Sequence, residues 1–340
     1  MDYIKNYFST IILGVTLLIV SILSLFVGAI DIHPGSLLFG GGGMELKIFL
    51  LARLPRLLAI LCTGVGMSVA GLIMQQLCMN KFVSPSTGST IQSAQFGILL
   101  ALVFIPSLGL WGRVLLAFVT AILGTWIFVW FIQRIQFKNT VMVPLIGIMF
   151  GNVLGGMINF IAYKFEVTQQ LSTYFVGSFA LIIKGNYELV WLALPLVILA
   201  FLFANHFNIV GMGKDFSENL GVNYKLVLFI GLTISAMITA SVVTVVGQIS
   251  YIGLIIPNIV AMFKGDKIRG SLVDTALFGA LFVLAADMLA RTVIMPYELP
   301  IELIVGIVGS ILFIAMLIYK LNHGKKAIRL GKAKEGSCCG

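Results

Sequence analysis

PRLLAILCTGVGMSVAGLIMQQL, residues 55–77, carries one charge, on Arg56, followed by 21 uncharged residues in a row. A helix of that length rises about 30 Å, the thickness of a bilayer's hydrocarbon core. The stretch predicts a membrane-spanning helix, and the rest of the chain repeats the pattern. Apolar blocks at roughly 11–30, 90–105, 112–132, 141–163, 188–205, 225–246, 249–263, 272–292 and 300–319 bring the expected spans to ten. The third and eighth of the ten are short or interrupted, the eighth by Pro257.

Composition agrees. Of 340 residues 59% are hydrophobic and 10% charged, with a mean hydropathy of +1.08, whereas soluble domains carry about 25% charged residues. The expected fold is an all-α membrane protein with lipid as its main solvent. It is read as one polytopic unit over 1–320, with a polar loop at about 205–224, followed by a basic tail at 321–340. The block at 11–30 lacks a convincing small-residue cleavage site and is read as a retained first span.

Direction follows from the basic residues. With the N-terminus inside, fifteen of the 22 Lys and Arg fall on the cytoplasmic side and seven outside. Cytoplasmic loops carry the excess, so both termini are expected in the cytoplasm. The net charge of +9 is thereby a matter of topology, and no nucleic-acid partner is expected. Arg53, Arg56 and Arg291 fall on the outer side against this trend, which requires something to offset them.

The chemistry of a stand-alone enzyme is missing. Gly211-Met212-Gly213-Lys214-Asp215 lacks the spacing and the Ser or Thr of a nucleotide-binding loop. His33, His206 and His323 lie far apart at predicted span ends, so no metal site and no bound cofactor are expected. Cys62 with Cys78, and Cys338 with Cys339, have no disulfide or zinc spacing. The vicinal tail pair is open to lipidation or metal, with a plain reduced tail as the simpler reading. Asp287 and Arg291 stand four apart on one helical face, as a local ion pair would. Intramembrane carboxylates and histidines are too few for a proton-coupled carrier. Gly147, Gly151 and Gly155 recur every four residues, which suits either tight helix packing or a shaped pathway.

Four ordered motifs resemble the FecCD-type permeases of iron–siderophore and vitamin B12 importers. They are Arg53-Leu54-Pro55-Arg56 with Gly64, Gly71, Gln75 and Asn80; Gly247-Gln248-Ile249-Ser250-Tyr251-Ile252-Gly253-Leu254-Ile255-Ile256-Pro257-Asn258; Ala286-Asp287-Met288-Leu289-Ala290-Arg291; and Glu298-Leu299-Pro300-Ile301. The chain departs from the family pattern at Asn80-Lys81-Phe82-Val83-Ser84-Pro85, at Asn258 and at Tyr174-Phe175-Val176-Gly177-Ser178. The first variant is similar to permeases of catecholate siderophores such as petrobactin and anguibactin.

The resemblance implies a type II ABC importer permease fold in the bacterial plasma membrane. It also implies two ATPase subunits that use ATP and Mg, a second permease subunit and an external siderophore-binding protein. Ser217, Glu218, Asn219, Leu220 and Gly221 would couple to the ATPase. Arg53, Arg56 and Arg291 would dock the binding protein, with lipid headgroups as the alternative partner. Met142, Asn152, Asn159 and Tyr163, with the three glycines, are nominated for the passage, packing being the alternative for each. Haem or vitamin B12 as cargo, and a stand-alone secondary transporter, remain the competing functions.

Overall fold

A computed structural model describes residues 2–28, 43–134, 142–185, 187–264 and 268–336. His33, Cys338 and Cys339 lie outside the described residues. Among those described, the chain is built from α1 (Asp2–Phe26), α2 (Gly43–Ile48), α3 (Leu54–Leu77), α4 (Thr90–Phe104), α5 (Leu110–Arg134), α6 (Met142–Lys164), α7 (Thr168–Phe175), α8 (Ala193–Val210), α9 (Lys214–Asn219), α10 (Tyr224–Val246), α11 (Ile252–Lys264), α12 (Ile268–Thr292) and α13 (Ile301–Gly336). A π-helical turn, Phe49–Arg53, leads directly into α3. Eight helical stretches are long and apolar enough to cross a bilayer, and the shorter apolar α4 and α11 complete ten. These ten fall in the order of the ten apolar blocks. Beyond residue 320 the last span runs on into the tail as one helix.

The bundle is organised around α3. Helices in lipid gain little from apolar burial against one another, so backbone proximity and polar contacts must hold them. Gly64 lies so close to α12 that a Cβ there would sit 2.6 Å from the Ala280 Cα. One and three-quarter turns on, a Cβ at Gly71 would sit 2.0 Å from the Gly253 carbonyl of α11. Only a residue without a side chain permits either contact. Around them Met67, Ile73 and Met74 of α3 are buried, while α1, α6 and α13 leave much of their surface exposed.

Pro257 sits inside α11. It has no N–H, which leaves the carbonyl four residues earlier without its helical donor. That carbonyl is Gly253, and Gln75 Nε2 of α3 donates to it at 3.2 Å and to Leu254 O at 3.1 Å. Next to the proline, Asn258 Nδ2 donates to Leu254 O and to Lys81 O, both at 2.7 Å. The two departures from the family pattern, 80–85 and Asn258, therefore meet in space. The 80–85 turn is itself closed by Asn80 Oδ1, which accepts from Phe82 N at 2.9 Å, and by Thr87 Oγ1, which accepts from Ser84 N at 2.9 Å.

Helix α1 is peripheral and is fixed at two levels by polar bonds. Thr10 Oγ1 donates to Asp274 Oδ1 at 2.7 Å, and Lys264 pairs with the same carboxylate. Towards its other end, Arg291 Nη2 donates to Ser24 Oγ at 2.7 Å.

Replacing Gln75 with Leu leaves the Gly253 carbonyl buried without a donor. The expected loss is about 1–3 kcal/mol, read as a lower unfolding midpoint of the detergent-solubilised protein, and an unchanged midpoint would show that Gln75 does not carry this bond.

Candidate functional site

Between α4, α6, α7 and the start of α13 lies a cavity of about 450 Å³. Its wall combines Gln92 and Gln95 of α4, Asn152 and Asn159 of α6, Ser172 of α7, Gln248 and Glu302. Amides, hydroxyls and a carboxylate are costly to hold against hydrocarbon, so their convergence marks a place meant for water or a polar ligand.

Irregular backbone supports this wall. Helices α4 and α11, of 15 and 13 residues, rise only about 22 and 20 Å, and non-helical segments make up the remaining depth. Such backbone is tolerated inside a membrane only where protein or a water-filled cavity satisfies it. Here Gln248 N donates to Phe175 O and Ser178 N to Val246 O, both at 3.0 Å, in an isolated parallel bridge between Val176 and Gln248. The close approach needs Gly177, where a Cβ would sit 2.0 Å from Gln248 O, and Gly247, whose φ is +90°. Gln248 ties the elements together. Its Oε1 accepts from Gln95 Nε2 at 3.1 Å, its Nε2 donates to Ser250 Oγ at 3.3 Å, and its side chain hydrogen-bonds the Glu302 carboxylate. Glu302 N donates to Gly177 O at 3.2 Å.

A second polar cluster joins α3, α12 and the α12–α13 loop. Arg56 bridges Asp287 and Glu298, each at 2.8 Å, while Arg291 pairs with Asp287 from one turn away. Arg291 also donates to Ser24 O at 3.2 Å and Val27 O at 3.0 Å, and Arg53 donates to Val27 O. Two cations and two carboxylates make the cluster neutral. This corrects the picture of three arginines turned outward: Arg291 is 4% exposed and faces the interior. Burial is affordable there because Asp287 lies between both guanidinium groups, as unpaired buried charge would not be.

The 205–224 loop is compact. Gly213, at φ +110°, starts α9, and Gly221, at φ +76°, follows it. Ser217 is buried, and its Oγ donates to Gly213 O at 2.6 Å and to Ile209 O at 3.0 Å, locking α9 under the end of α8. Gly211 abuts the Gln76 side chain of α3, and Asn223 Oδ1 accepts from Leu226 N at 3.1 Å to cap α10. Glu218, Asn219, Leu220 and Gly221 are exposed, and so are Met212 at 64%, Phe216 at 49% and Leu220 at 57%.

Of the residues nominated for the passage, Gly151, Asn152, Gly155 and Asn159 line the cavity. Gly147 does not. It packs against Thr87 O and the Phe128 ring, where a Cβ would meet Thr87 O at 1.9 Å. Met142 and Tyr163, 42% and 81% exposed, lie at the two ends of α6 outside the cavity. The sequence reading missed Gln92, Gln95 and Glu302 altogether and met Gln248 only as part of a motif. Polar side chains inside apolar blocks were the available signal.

A polytopic helical bundle with a polar cavity at membrane depth and a rigid hydrophilic loop at one end is a membrane transport protein. The model of the FecCD transport family matches residues 16–319, and the chain belongs to that family. It is 44% identical over 306 residues, 90% of this chain and 96% of the relative, to the petrobactin import system permease protein YclN of Bacillus subtilis. It is 34% identical to the ferric-anguibactin transport system permease protein FatD of Vibrio anguillarum, covering 83% of this chain and 94% of that one. Its fold matches that of a solved metal-chelate type ABC transporter in an inward-facing conformation, with a TM-score of 0.76, 24% identity, and coverage of 92% of this chain and 98% of the other.

Asp287→Asn would leave two buried guanidinium groups sharing Glu298 alone. The expected cost is about 3–5 kcal/mol, seen as loss of folded protein on size exclusion in detergent, with Glu298→Gln milder because Glu298 is the more exposed partner.

Proposed function

We propose that the chain is the permease subunit of an ATP-driven importer of ferric siderophores, taking cargo from an external binding protein and drawing its power from separate ATPase subunits. The polar cavity at membrane depth carries this reading, because a bilayer protein has no other use for unscreened amides beside an exposed helix face. Kinship with petrobactin and anguibactin permeases favours siderophores over haem or vitamin B12. A second permease subunit, homologous or identical, would cover the exposed face of α6 and close the cavity into a passage. Reconstituted with its partners, the chain should give ATP-dependent uptake of a ferric siderophore into liposomes. Proton-driven uptake by the chain alone would overturn the assignment.

Coupling is proposed to run through α9. A push on the loop reaches α8 through Ser217 and α3 through Gly211, so the loop moves with the spans it joins. The exposed Phe216 and Leu220 are suited to a groove in the ATPase. Phe216→Asp with Leu220→Asp should cut binding-protein-stimulated ATP hydrolysis at least tenfold, roughly the loss of 1.4 kcal/mol or more of contact, while leaving the unfolding midpoint unchanged; full stimulation would remove the coupling role.

Docking of the binding protein is placed at the end of the bundle that carries Arg53 and Arg56, with Arg291 holding that rim from within. Rim charges chiefly set encounter rate and salt dependence. Binding to right-side-out vesicles should weaken with salt and fall severalfold in an Arg53→Ala, Arg56→Ala variant. Binding only to inverted vesicles would reverse the orientation read from the basic residues.

A further inference from the structure

We propose that Glu302, held in place by Gln248, makes the cavity favour chelates that present ammonium or other hydrogen-bond donor groups over chelates that present carboxylates. The inference rests on the import reading and names the chemistry of what passes.

The cavity wall holds one carboxylate and no Lys, Arg or His among the described residues. Its other polar groups are neutral, with Gln95, Asn152 and Asn159 among them. Glu302 is the first charged group along α13, at the mouth where Gly177 and Gln248 fix it from two sides. Gln92 adds a second feature: its Oε1 is buried without a hydrogen-bond partner, an acceptor directed toward the space beside Gly151, whose Cβ position is 3.2 Å from the Gln92 amide carbon. An unmet acceptor and an uncompensated carboxylate both ask for a donor from the ligand. In a confined space bounded by low-dielectric walls, one unit charge discriminates between cation and anion far more than it would in bulk water. The same carboxylate keeps its affinity modest, because Gln248 and the Gly177 amide already share it, and a passage must release what it admits.

The test uses the full importer in nanodiscs, with Cys62, Cys78, Cys338 and Cys339 replaced by Ala and Asn159→Cys introduced as a reporter in the cavity. Reaction of that thiol with a cationic and an anionic methanethiosulfonate of similar size gives a rate ratio, normalised to the ratio for glutathione. The expected ratio favours the cation at least about fivefold, drops toward unity in Glu302→Gln, and rises when Asn152→Asp adds a second charge. Glu302→Gln keeps the shape and most of the hydrogen bonds, and an unchanged unfolding midpoint confirms that it folds. In proteoliposomes, Glu302→Gln should also lower uptake of an amine-bearing ferric chelate relative to a carboxylate-bearing one of the same denticity. A reagent ratio or an uptake preference that Glu302→Gln leaves untouched overturns the inference. Failure of the import reading looks different: no ATP-dependent uptake of either chelate by the unmodified chain.

Discussion

Helix α3 can approach α11 and α12 only because Gly64 and Gly71 present bare backbone to them, and the remaining architecture is arranged around that contact. In water such a core would be stabilised by removing apolar surface from solvent, but lipid tails are as apolar as the side chains they would replace. Close approach gains dispersion contacts and brings polar groups within bonding distance. Gln75 reaches the Gly253 carbonyl because the two backbones already touch, and in doing so it satisfies an acceptor that Pro257 left open. A larger residue at position 71 would separate the helices and undo both effects.

The same logic explains where charge is tolerated. Arg56, Asp287, Arg291 and Glu298 form a neutral group at one end of the bundle, and Lys264 with Asp274 forms another that also engages Thr10. Each lies where α1 meets the core, so the most loosely packed span is secured by the strongest directional contacts. Glu302 differs: its partners are an amide side chain and a backbone amide, and no cation among the described residues lines its cavity. A carboxylate left without a counter-charge in a polar recess is a functional feature in a structure that otherwise neutralises its buried ions.

Transport requires parts that move together and parts that yield. The α8–α9 junction is of the first kind, locked by Ser217 and buttressed by Gln76 against Gly211. The 175–178 and 247–250 segments are of the second kind, joined by a few backbone bonds rather than by continuous helix. Their position beside the cavity suits a gate, since a short bridge opens at less cost than a helix unwinds.

Much of this was legible in the sequence. Ten apolar blocks announced ten spans because hydrocarbon thickness fixes a minimum length, and Asp287 with Arg291 announced an ion pair because i and i+4 share a helical face. The glycines at 147, 151 and 155 looked equivalent by spacing, yet one packs on Phe128 and two border the cavity. Nothing in the chain order foretold that Arg56 would reach Asp287, 231 positions away, that Asn258 would bond Lys81, or that Gln248 would hold Glu302. Local rules act over one or two turns, so the sequence by itself determined the spans, their length and the family they belong to. Which polar side chains are neutralised and which remain facing a cavity was decided only when the helices packed, because that depends on which faces meet across the bundle.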